Sequence, residues 1–241
     1  MQLAGLHHVT CVCSDAQQTL DFYRQLGFAL VKRTVNFDDP HSYHLYFGDE
    51  GGSPGTLLTF FEWPRADHGR SGRGTLESIG LETPNVSEPV EVQDPDGLRL
   101  RLLPGEQPRL ADVVVIGNPV LYAGVFAEDA PITFAEPVEE PALIGPGLTH
   151  HIAWRVATDE AEQEWLERLT EVGLRPTPVQ DRKYFRSVYF RMPDGMLIEI
   201  ATDGPGFLVD EPAETLGESL SLPPWLEPER ETLERELTPI E

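Results

Sequence analysis

A pair of adjacent histidines occurs twice in this chain, each time after a Gly-Leu step and at the start of an apolar run. The first copy reads GLHHVT from residue 5, and the second reads GLTHHIAW from residue 147. The second histidines of the two pairs, His8 and His151, are 143 positions apart (151 − 8). A repeat at this distance indicates duplicated structural units, and it constrains the fold more than any other feature of the sequence.

The same order of elements follows each histidine pair. After LHHVTCVC come a helix-like segment that ends at Gly27 and three strand-like runs, FALVKRTVNF, YHLYFGDE and GTLLTFFEW. After THHIAWRV come DEAEQEWLERLTEVGL, with Trp165 and Leu169 on one face, and the runs RPTPVQD, YFRSVYFRM and GMLIEIATD. Apolar residues at helical spacing, followed by β-rich runs between turn residues, predict two β-α-β-β-β modules.

The segment between the two modules is predicted to be a shortened version of them. QDPDGLRLRLL at 93–103 is similar to MPDGMLIEIA at 192–201, but no amphipathic helix precedes it. One or two reduced modules, or a separate small insert, would give this pattern. The chain is therefore divided into four parts: a first module at 1–63, a shortened central region at 64–145, a last module at 146–204 and an acidic C-terminal tail at 205–241.

The charge balance excludes several classes of partner. The 41 acidic residues outnumber the 18 basic ones, which gives a formal net charge of −23. Such a surface repels phosphate backbones and anionic lipid, so neither nucleic acid nor a membrane is expected to bind. Cys11 and Cys13 are two residues apart on a predicted strand, which suits neither an ordinary disulfide nor a four-ligand zinc site. Reduced thiols, and the lack of a signal-peptide pattern, predict a soluble cytoplasmic protein.

Strand alternation separates the two histidines of each pair. In LHHVTCVC, His8 and Thr10 share one face of the strand, whereas His7 falls on the more apolar face that must cover the helix. The same alternation in THHIAWRV places His151 on the polar face and His150 on the apolar one. We therefore expect His8 and His151 to point into the concave side of a sheet. Their neighbours would reach the mouth of that concavity only from the strand ends.

One carboxylate occupies an equivalent place in the last strand. Aligning GTLLTFF, GLRLRLL and GMLIEIA on their glycines puts Thr59, Arg101 and Glu199 at matching inward positions. An ionised carboxylate in such an apolar strand is costly unless it is paired or bound to a metal. A salt bridge to a nearby arginine is one interpretation. A metal site shared with the two inward histidines is the other, and the matching repeat positions favour it.

Two imidazoles and one carboxylate form a facial triad with open positions, the usual arrangement for non-haem Fe(II) oxygen chemistry. Mn(II) suits the same ligands, whereas structural zinc sites normally close with four sulfur-rich ligands. His8, His151 and Glu199 are therefore predicted to hold Fe(II) or Mn(II). The histidines outside the pairs fall in turn-rich segments and are expected to be structural, although His44 lies where it could reach the pocket: His41, His44 and His68.

Seven segments together resemble a known family: LHHVT, KRTVNFDDP, YHLYFGDE, GTLLTFF, GLTHHIAWRV, DRKYFRSVYFR and GMLIEIATDGPGF. They are similar to ring-cleaving dioxygenases of the vicinal oxygen chelate superfamily, in particular to the hydroquinone-dioxygenase-like branch of the glyoxalase/bleomycin resistance/dioxygenase type. The resemblance covers residues 5–63 and 147–230. It implies an α+β fold of paired βαβββ modules, with mixed curved sheets around a metal cleft. Relatives carry two complete central modules, so this chain is shorter in the middle.

The resemblance implies the same three iron ligands that strand alternation selects. It also implies five residues around the substrate: His150, Tyr189 and His7 as catalytic residues, and Thr10 and Arg182 as substrate-binding residues. One of the two catalytic histidines would accept the phenolic proton, since an imidazole titrates near neutral pH. Tyr189 would hydrogen-bond the substrate oxygen.

The expected activity is Fe(II)-dependent cleavage of a hydroquinone- or catechol-type ring with insertion of O₂. Two alternatives stay open: a glyoxalase-like metal-dependent isomerase or lyase, and a metal-free small-molecule binding protein of the bleomycin-resistance kind. The isomerase or lyase would need a carboxylate base besides the metal ligands. A metal-free binding protein would have no reason to bury an acid beside two histidines. A small aromatic substrate and O₂ are thus the expected partners, and homo-oligomerisation is left open.

Overall fold

The two strands that carry the histidine pairs lie side by side at the centre of one sheet. The computed structural model describes residues 3–123, 125–126 and 130–241. The outer modules contain these elements: β1 (Leu6–Cys13), α1 (Ala16–Gln25), β2 (Ala29–Asn36), β3 (Asp39–Gly48) and β4 (Leu57–Glu62), then β10 (Thr149–Val156), α3 (Asp159–Glu171), β11 (Gln180–Asp181), β12 (Arg186–Arg191) and β13 (Leu197–Thr202).

The outer modules form one eight-stranded sheet with the order β11-β12-β13-β10-β1-β4-β3-β2. Within each module the first strand pairs parallel with the last one, β1 with β4 and β10 with β13, and the remaining strands pair antiparallel. The two modules join where β1 and β10 pair antiparallel. The predicted α+β fold of paired βαβββ modules with mixed curved sheets is confirmed.

The central region forms a second sheet with the order β6-β7-β5-β8-β9. Its elements are β5 (Thr75–Thr83), β6 (Val90–Gln93), β7 (Arg99–Pro104), β8 (Arg109–Ile116), α2 (Pro119–Tyr122) and β9 (Ile132–Ala135). Strand β5 pairs parallel with β7 and antiparallel with β8, and β8 pairs parallel with β9. The eight-stranded sheet has the same three kinds of pairing, between β1 and β4, β1 and β10, and β10 and β13. The strand pairing of the centre therefore matches that of two modules reduced to three and two strands. The domain boundaries proposed after residues 63, 145 and 204 all fall outside strands, and they stay a prediction.

The apolar faces of both sheets and of α1 and α3 share the main core. Tyr23 of α1, Trp154 of β10 and Leu169 of α3 are all buried in it. Cys11 and Cys13 lie in the same core as free thiols. The opposite, concave face of the eight-stranded sheet carries polar side chains together with a smaller apolar cluster that includes Tyr46, Tyr184 and Phe185. Within the described ranges, no helix is long and apolar enough to cross a bilayer.

The C-terminal tail packs on the first module and partly covers this concave face. It contains short 3₁₀ turns (Phe207–Val209, Ala213–Thr215 and Glu227–Glu229) and α4 (Arg230–Glu236). The buried ammonium group of Lys32 in β2 binds Asp210 Oδ1 at 2.8 Å and also binds Glu211. Thr34, two residues further along β2, donates to the carbonyl oxygen of Ser221 at 2.6 Å. A buried ion pair and backbone contacts therefore fix the tail against β2.

Glu162 carries a buried carboxylate in the first turns of α3. Neither of its carboxylate oxygens has a hydrogen-bond partner among the residues described, and the Arg186 Nε atom lies 3.7 Å from Oε2. Burial raises the pKa of Glu162 from 4.5 to about 7. The folded protein therefore holds this proton more tightly than the unfolded chain does.

We expect Glu162→Gln to stabilise the protein at pH 8 by about 1–2 kcal/mol and to have little effect at pH 4. The contribution of the protonated carboxyl is fully present below pH 4.5, the unfolded value, and is lost as the pH rises through the folded value near 7. Urea unfolding at both pH values measures this difference. Glu164→Gln, at an exposed position of the same helix, is the matched control. An equal change for Glu162→Gln at pH 4 and pH 8 would contradict the prediction.

Candidate metal centre

Two β-bulges set the orientation of the histidine pairs. The register of β1 against β10 shifts twice, and the residues left without a partner at the two shifts are His7 and His150. A bulge opposes two residues of one strand to a single residue of the other, so the alternation of faces is interrupted. Leu6 and Val9, three positions apart, accordingly both lie in the main core. The histidine pairs therefore do not alternate between faces in the way that an unbroken strand would require.

Three potential ligand atoms converge on the concave face. Glu199 Oε2 lies 2.9 Å from His151 Nε2 and 3.3 Å from His8 Nε2, and the two Nε2 atoms are 3.4 Å apart. All three side chains are buried. Ligand atoms about 2.1 Å from one ion and at right angles to each other would be about 3.0 Å apart. The triangle therefore has the size that one facially coordinated ion requires.

The carboxylate of Glu199 is only half satisfied. Its Oε1 atom accepts a hydrogen bond from the Ser187 hydroxyl. Its Oε2 atom is buried and has no hydrogen-bond partner in the described part of the chain. Burial alone would raise the pKa of Glu199, but the neighbouring imidazoles of His8 and His151 outweigh it and hold this pKa well below the usual carboxyl range. An ionised, orphaned oxygen that faces two imidazole nitrogens fits a divalent cation.

The two histidines of each pair lie within hydrogen-bond distance of each other. His7 Nδ1 lies 2.9 Å from His8 Nδ1, and His150 Nδ1 lies 2.8 Å from His151 Nδ1. If the Nε2 lone pairs of His8 and His151 bind a metal, their Nδ1 atoms carry hydrogen and donate it to the neighbouring imidazoles. Donation of this kind fixes the tautomer and the ring orientation of a ligand histidine. With a metal bound, each histidine pair would thus contain a ligand and the acceptor that holds it.

The prediction that His7 lies at the mouth of the cleft is wrong. The bulge turns its ring toward His8, and Phe185 packs edge-on against it with ring centroids 5.0 Å apart. The side chain is 1% exposed, and it is not among the described residues that line the cavity. Burial, together with the nearby His8, lowers the pKa of His7 to about 3. In this place the His7 imidazole contacts His8 and does not reach the described cavity lining, and its predicted catalytic role stays a prediction.

The triad opens into a cavity of about 330 Å³, a size suited to a small molecule. The predicted residues His150, Tyr189 and Arg182 all line it, together with Phe61. Arg182 Nε donates to Tyr189 Oη at 3.1 Å. Burial, together with the nearby His151, lowers the pKa of His150 to about 3, so its imidazole is neutral. The cavity therefore combines aromatic walls with convergent polar groups above the triad.

Besides Glu199, the described residues that line the cavity include one carboxylate, that of Asp38. Its Oδ2 atom pairs with Arg182 Nη1 at 3.2 Å. The Asp38 side chain is 75% exposed, so it lies at the solvent end of the cavity. In that position it closes an Asp38–Arg182–Tyr189 series that runs from solvent toward the triad.

Two polar residues lie elsewhere than the sequence suggests. Thr10, predicted to bind substrate, is fully buried and bonds Thr59 Oγ1 at 2.8 Å, and the described cavity lining does not include it. His44, for which a structural role was expected although it could reach the pocket, lies within β3 and lines the cavity. The alternation in YHLYF carried this signal, because residues i and i+2 share a strand face. His44 and Tyr46 are both cavity residues.

The second sheet carries different chemistry at its corresponding position. Arg101 donates to Ser78 Oγ at 3.2 Å and pairs with Asp112. Among the residues that the structure describes, the one group of metal-ligand side chains is His8, His151 and Glu199. The predicted single site therefore lies entirely between the first and last modules.

Fold and site together define a protein of glyoxalase-like architecture with one candidate metal centre. The chain belongs to the Glyoxalase/Bleomycin resistance protein/Dioxygenase superfamily, whose family model matches residues 5–95. It is 34% identical to "Putative ring-cleaving dioxygenase MhqO" of Bacillus subtilis, over 98% of this chain and 96% of that protein. It is 28% identical to the chlorohydroquinone/hydroquinone 1,2-dioxygenase of Sphingobium indicum, over 97% and 96% of the two chains.

Solved structures have the same fold as this chain. The crystal structure of a "putative dioxygenase" from Bacillus subtilis has a TM-score of 0.90 at 33% identity, covering 100% of this chain and 98% of that one. Maize glyoxalase I, at 13% identity and a TM-score of 0.59 over 83% of this chain and 92% of its own, shares the fold. The MhqO alignment extends over 304 positions, so at least 63 of them (304 − 241) have no counterpart in this chain.

Proposed function

We propose that this protein is an Fe(II)-dependent ring-cleaving dioxygenase that inserts O₂ into a hydroquinone- or catechol-type aromatic diol. The observation that carries the proposal is the orphaned Glu199 Oε2 atom, which faces His8 and His151 at the end of an aromatic-lined cavity. The names of the ring-cleaving relatives support the same reaction class. When bound, Fe(II) would supply Lewis acidity toward a phenolic oxygen and redox chemistry with O₂.

The residues of this chain would bind and orient the diol. Arg182 already donates to Tyr189 Oη, so the Tyr189 hydroxyl hydrogen is free to donate to a ligand oxygen. His150 Nδ1 accepts from His151 in the metal-binding tautomer, so His150 Nε2 carries hydrogen and is also a donor. We therefore propose that His150 stabilises an ionised ligand oxygen, in place of the predicted role as proton acceptor. Phe61 and Phe185 would pack against the ring.

The isomerase and binding-protein alternatives account less well for the site. A glyoxalase-like reaction needs a carboxylate base besides the ligands, and Asp38 is exposed and paired with Arg182. In a metal-free binding protein the buried charge of Glu199 would face only the imidazoles of His8 and His151, and binding alone gives no reason to bury that charge. The ring-cleaving proposal assigns Glu199 to the metal and needs no further carboxylate base. The predicted cytoplasmic location stays a prediction that accords with the free thiols of Cys11 and Cys13.

Removal and replacement of the metal tests the proposal. We expect the chelator-treated protein to bind one equivalent of Fe(II) under anaerobic conditions. On admission of air it should consume O₂ with at least one member of a panel of hydroquinone, methylhydroquinone, chlorohydroquinone and catechol. Zinc(II) has no redox chemistry, so the Zn(II)-loaded protein is the control and should consume none. An oxygen electrode and metal analysis provide the two measurements.

The decisive contrary result is a protein that holds one equivalent of Fe(II) and yet consumes no O₂ with any diol of the panel. Equal O₂ consumption by the metal-free protein would also contradict the proposal.

A further inference from the structure

The first module supplies a second tyrosine to the cavity. Tyr46 of β3 pairs with Thr59 of β4, and Tyr189 of β12 pairs with Glu199 of β13. Because the two modules arrange their strands in the same order outward from the β1–β10 pair, these tyrosines occupy equivalent places in the two halves of the sheet. Both line the cavity. The duplicated fold therefore brings a phenol to the cavity from each side of the triad.

The Tyr46 hydroxyl is the cavity end of a chain of hydrogen bonds. Tyr46 Oη lies 3.0 Å from His44 Nδ1, and His44 Nε2 lies 3.0 Å from Thr59 Oγ1. Thr59 Oγ1 in turn lies 2.8 Å from Thr10 Oγ1. Both threonines are fully buried, and Tyr46 is 3% exposed. The chain thus runs from the interior of the sheet to the cavity wall.

The buried end fixes the direction of donation along this chain. Among the described residues, Thr59 is the hydrogen-bond partner of the Thr10 hydroxyl, so the Thr10 hydrogen is satisfied only if Thr10 donates to Thr59. Thr59 then donates to His44 Nε2. A neutral imidazole has one acceptor and one donor nitrogen, so His44 Nδ1–H donates to Tyr46 Oη. The hydrogen of Tyr46 is left without an acceptor inside the chain.

On the other side of the cavity, the hydroxyl group of Tyr189 also accepts a hydrogen bond. Arg182 can only donate, and its Nε–H already points to Tyr189 Oη. Each tyrosine oxygen therefore accepts one hydrogen bond from behind, which leaves its own hydrogen for a ligand. Such an arrangement favours a ligand oxygen with high electron density, such as a phenolate.

We propose that Tyr46 is a second substrate-binding phenol, which donates a hydrogen bond to an oxygen of the aromatic diol from the first-module wall. His44 and Thr59 are positioning residues, because they act through Tyr46 and orient its hydroxyl. The class of ligand rests on the proposed function. The direction of the hydrogen-bond chain does not depend on it.

Tyr46→Phe tests the contact with the ligand. The dissociation constants of hydroquinone and catechol are measured by calorimetry on the metal-loaded full-length protein without O₂, and KM and kcat are measured by O₂ uptake. Loss of one hydrogen bond should raise the dissociation constant and KM by about tenfold. It should change kcat less and leave the metal affinity unchanged. Tyr184→Phe is the matched control, because Tyr184 is a buried tyrosine of the same apolar cluster that is not among the described lining residues.

A double-variant cycle tests the positioning residues. Thr59→Val keeps the shape of the side chain but removes the bond to His44, so it should weaken diol binding by no more than Tyr46→Phe does. The Tyr46→Phe/Thr59→Val protein should bind as weakly as Tyr46→Phe alone, because Thr59 acts through Tyr46. A merely structural role of Thr59 would instead multiply the two effects.

Each outcome decides a separate point. Wild-type diol affinity in Tyr46→Phe, or the same loss in Tyr184→Phe, overturns the proposal for Tyr46. Multiplied effects in the double variant overturn the positioning roles. Diol binding by the Fe(II)-loaded wild type without O₂ uptake contradicts the proposed function alone, since Tyr46→Phe still reports on the contact. If neither diol binds the loaded wild-type protein, both proposals fail.

Discussion

Glu199→Gln should abolish stoichiometric binding of Fe(II) while the protein remains folded. Gln has the shape of Glu but lacks the negative charge, so the two imidazoles would have to hold a divalent cation without an anionic ligand. Changing a residue that only supports a metal ligand costs about 10–100-fold in affinity, and replacing the ligand itself should cost more than about 100-fold. Metal titration followed by calorimetry measures the loss.

The folded state provides a second readout of the same change. A metal that binds only the native state, at a free concentration of 100 times the dissociation constant, stabilises the folded protein by about 2.7 kcal/mol. Fe(II) should therefore raise the unfolding midpoint of the wild type and leave that of Glu199→Gln unchanged. Glu62→Gln is the control, since Glu62 is a buried carboxylate of the same sheet that accepts the Ala16 backbone N–H at 3.0 Å. Wild-type metal affinity in Glu199→Gln would remove this residue from the ligand set.

His7→Leu should weaken metal binding by about 10–100-fold and leave the pH dependence of turnover unchanged. Leucine fills the space beside Phe185 but offers no acceptor, so the His8 Nδ1–H would lose the partner that fixes its ring. His7→Gln keeps an acceptor oxygen and should restore part of the affinity. Metal titration of both variants, with a pH–rate profile of the loaded proteins, makes the comparison.

The equivalent change in the second pair gives the contrast. His150 makes the same contact with His151 but also lines the cavity. His150→Leu should therefore weaken both metal binding and diol binding, whereas His7→Leu should weaken metal binding alone. Unchanged metal affinity with an altered pH profile in His7→Leu would contradict the orienting role. That result would restore the proton-accepting role that the sequence suggested.

The order of elements was readable from the sequence because each module repeats its local signals. An apolar strand, an amphipathic helix and three β-rich runs recur after each histidine pair, and the eight-stranded sheet has that content. The central region was harder to interpret. Its helices and outer strands are reduced, so its pattern left one module, two modules or an insert open. The pairing of β5 with β8 and of β8 with β9 matches the pattern of two modules.

The candidate ligands were also within reach of the sequence. His8, His151 and Glu199 stand at equivalent repeat positions, and the structure brings their side chains into one buried cluster. The surroundings of the triad were less accessible. Thr10 is buried behind the cavity wall, and His44 lines the cavity although a structural role was expected for it. Contacts of this kind depend on which strands become neighbours.

The two complete modules, the single inward carboxylate and the histidines that accompany it are visible in the amino-acid sequence, because they follow from the periodicity of each segment and from its repetition along the chain. The contacts of the first histidine of each pair are visible only in the folded chain. A bulge exists only in the register between two strands, and no alternation within LHHVT or THHIA reveals it. That register turns His7 toward His8 and His150 toward His151. Phe185 packs against His7, whereas His150 lines the cavity.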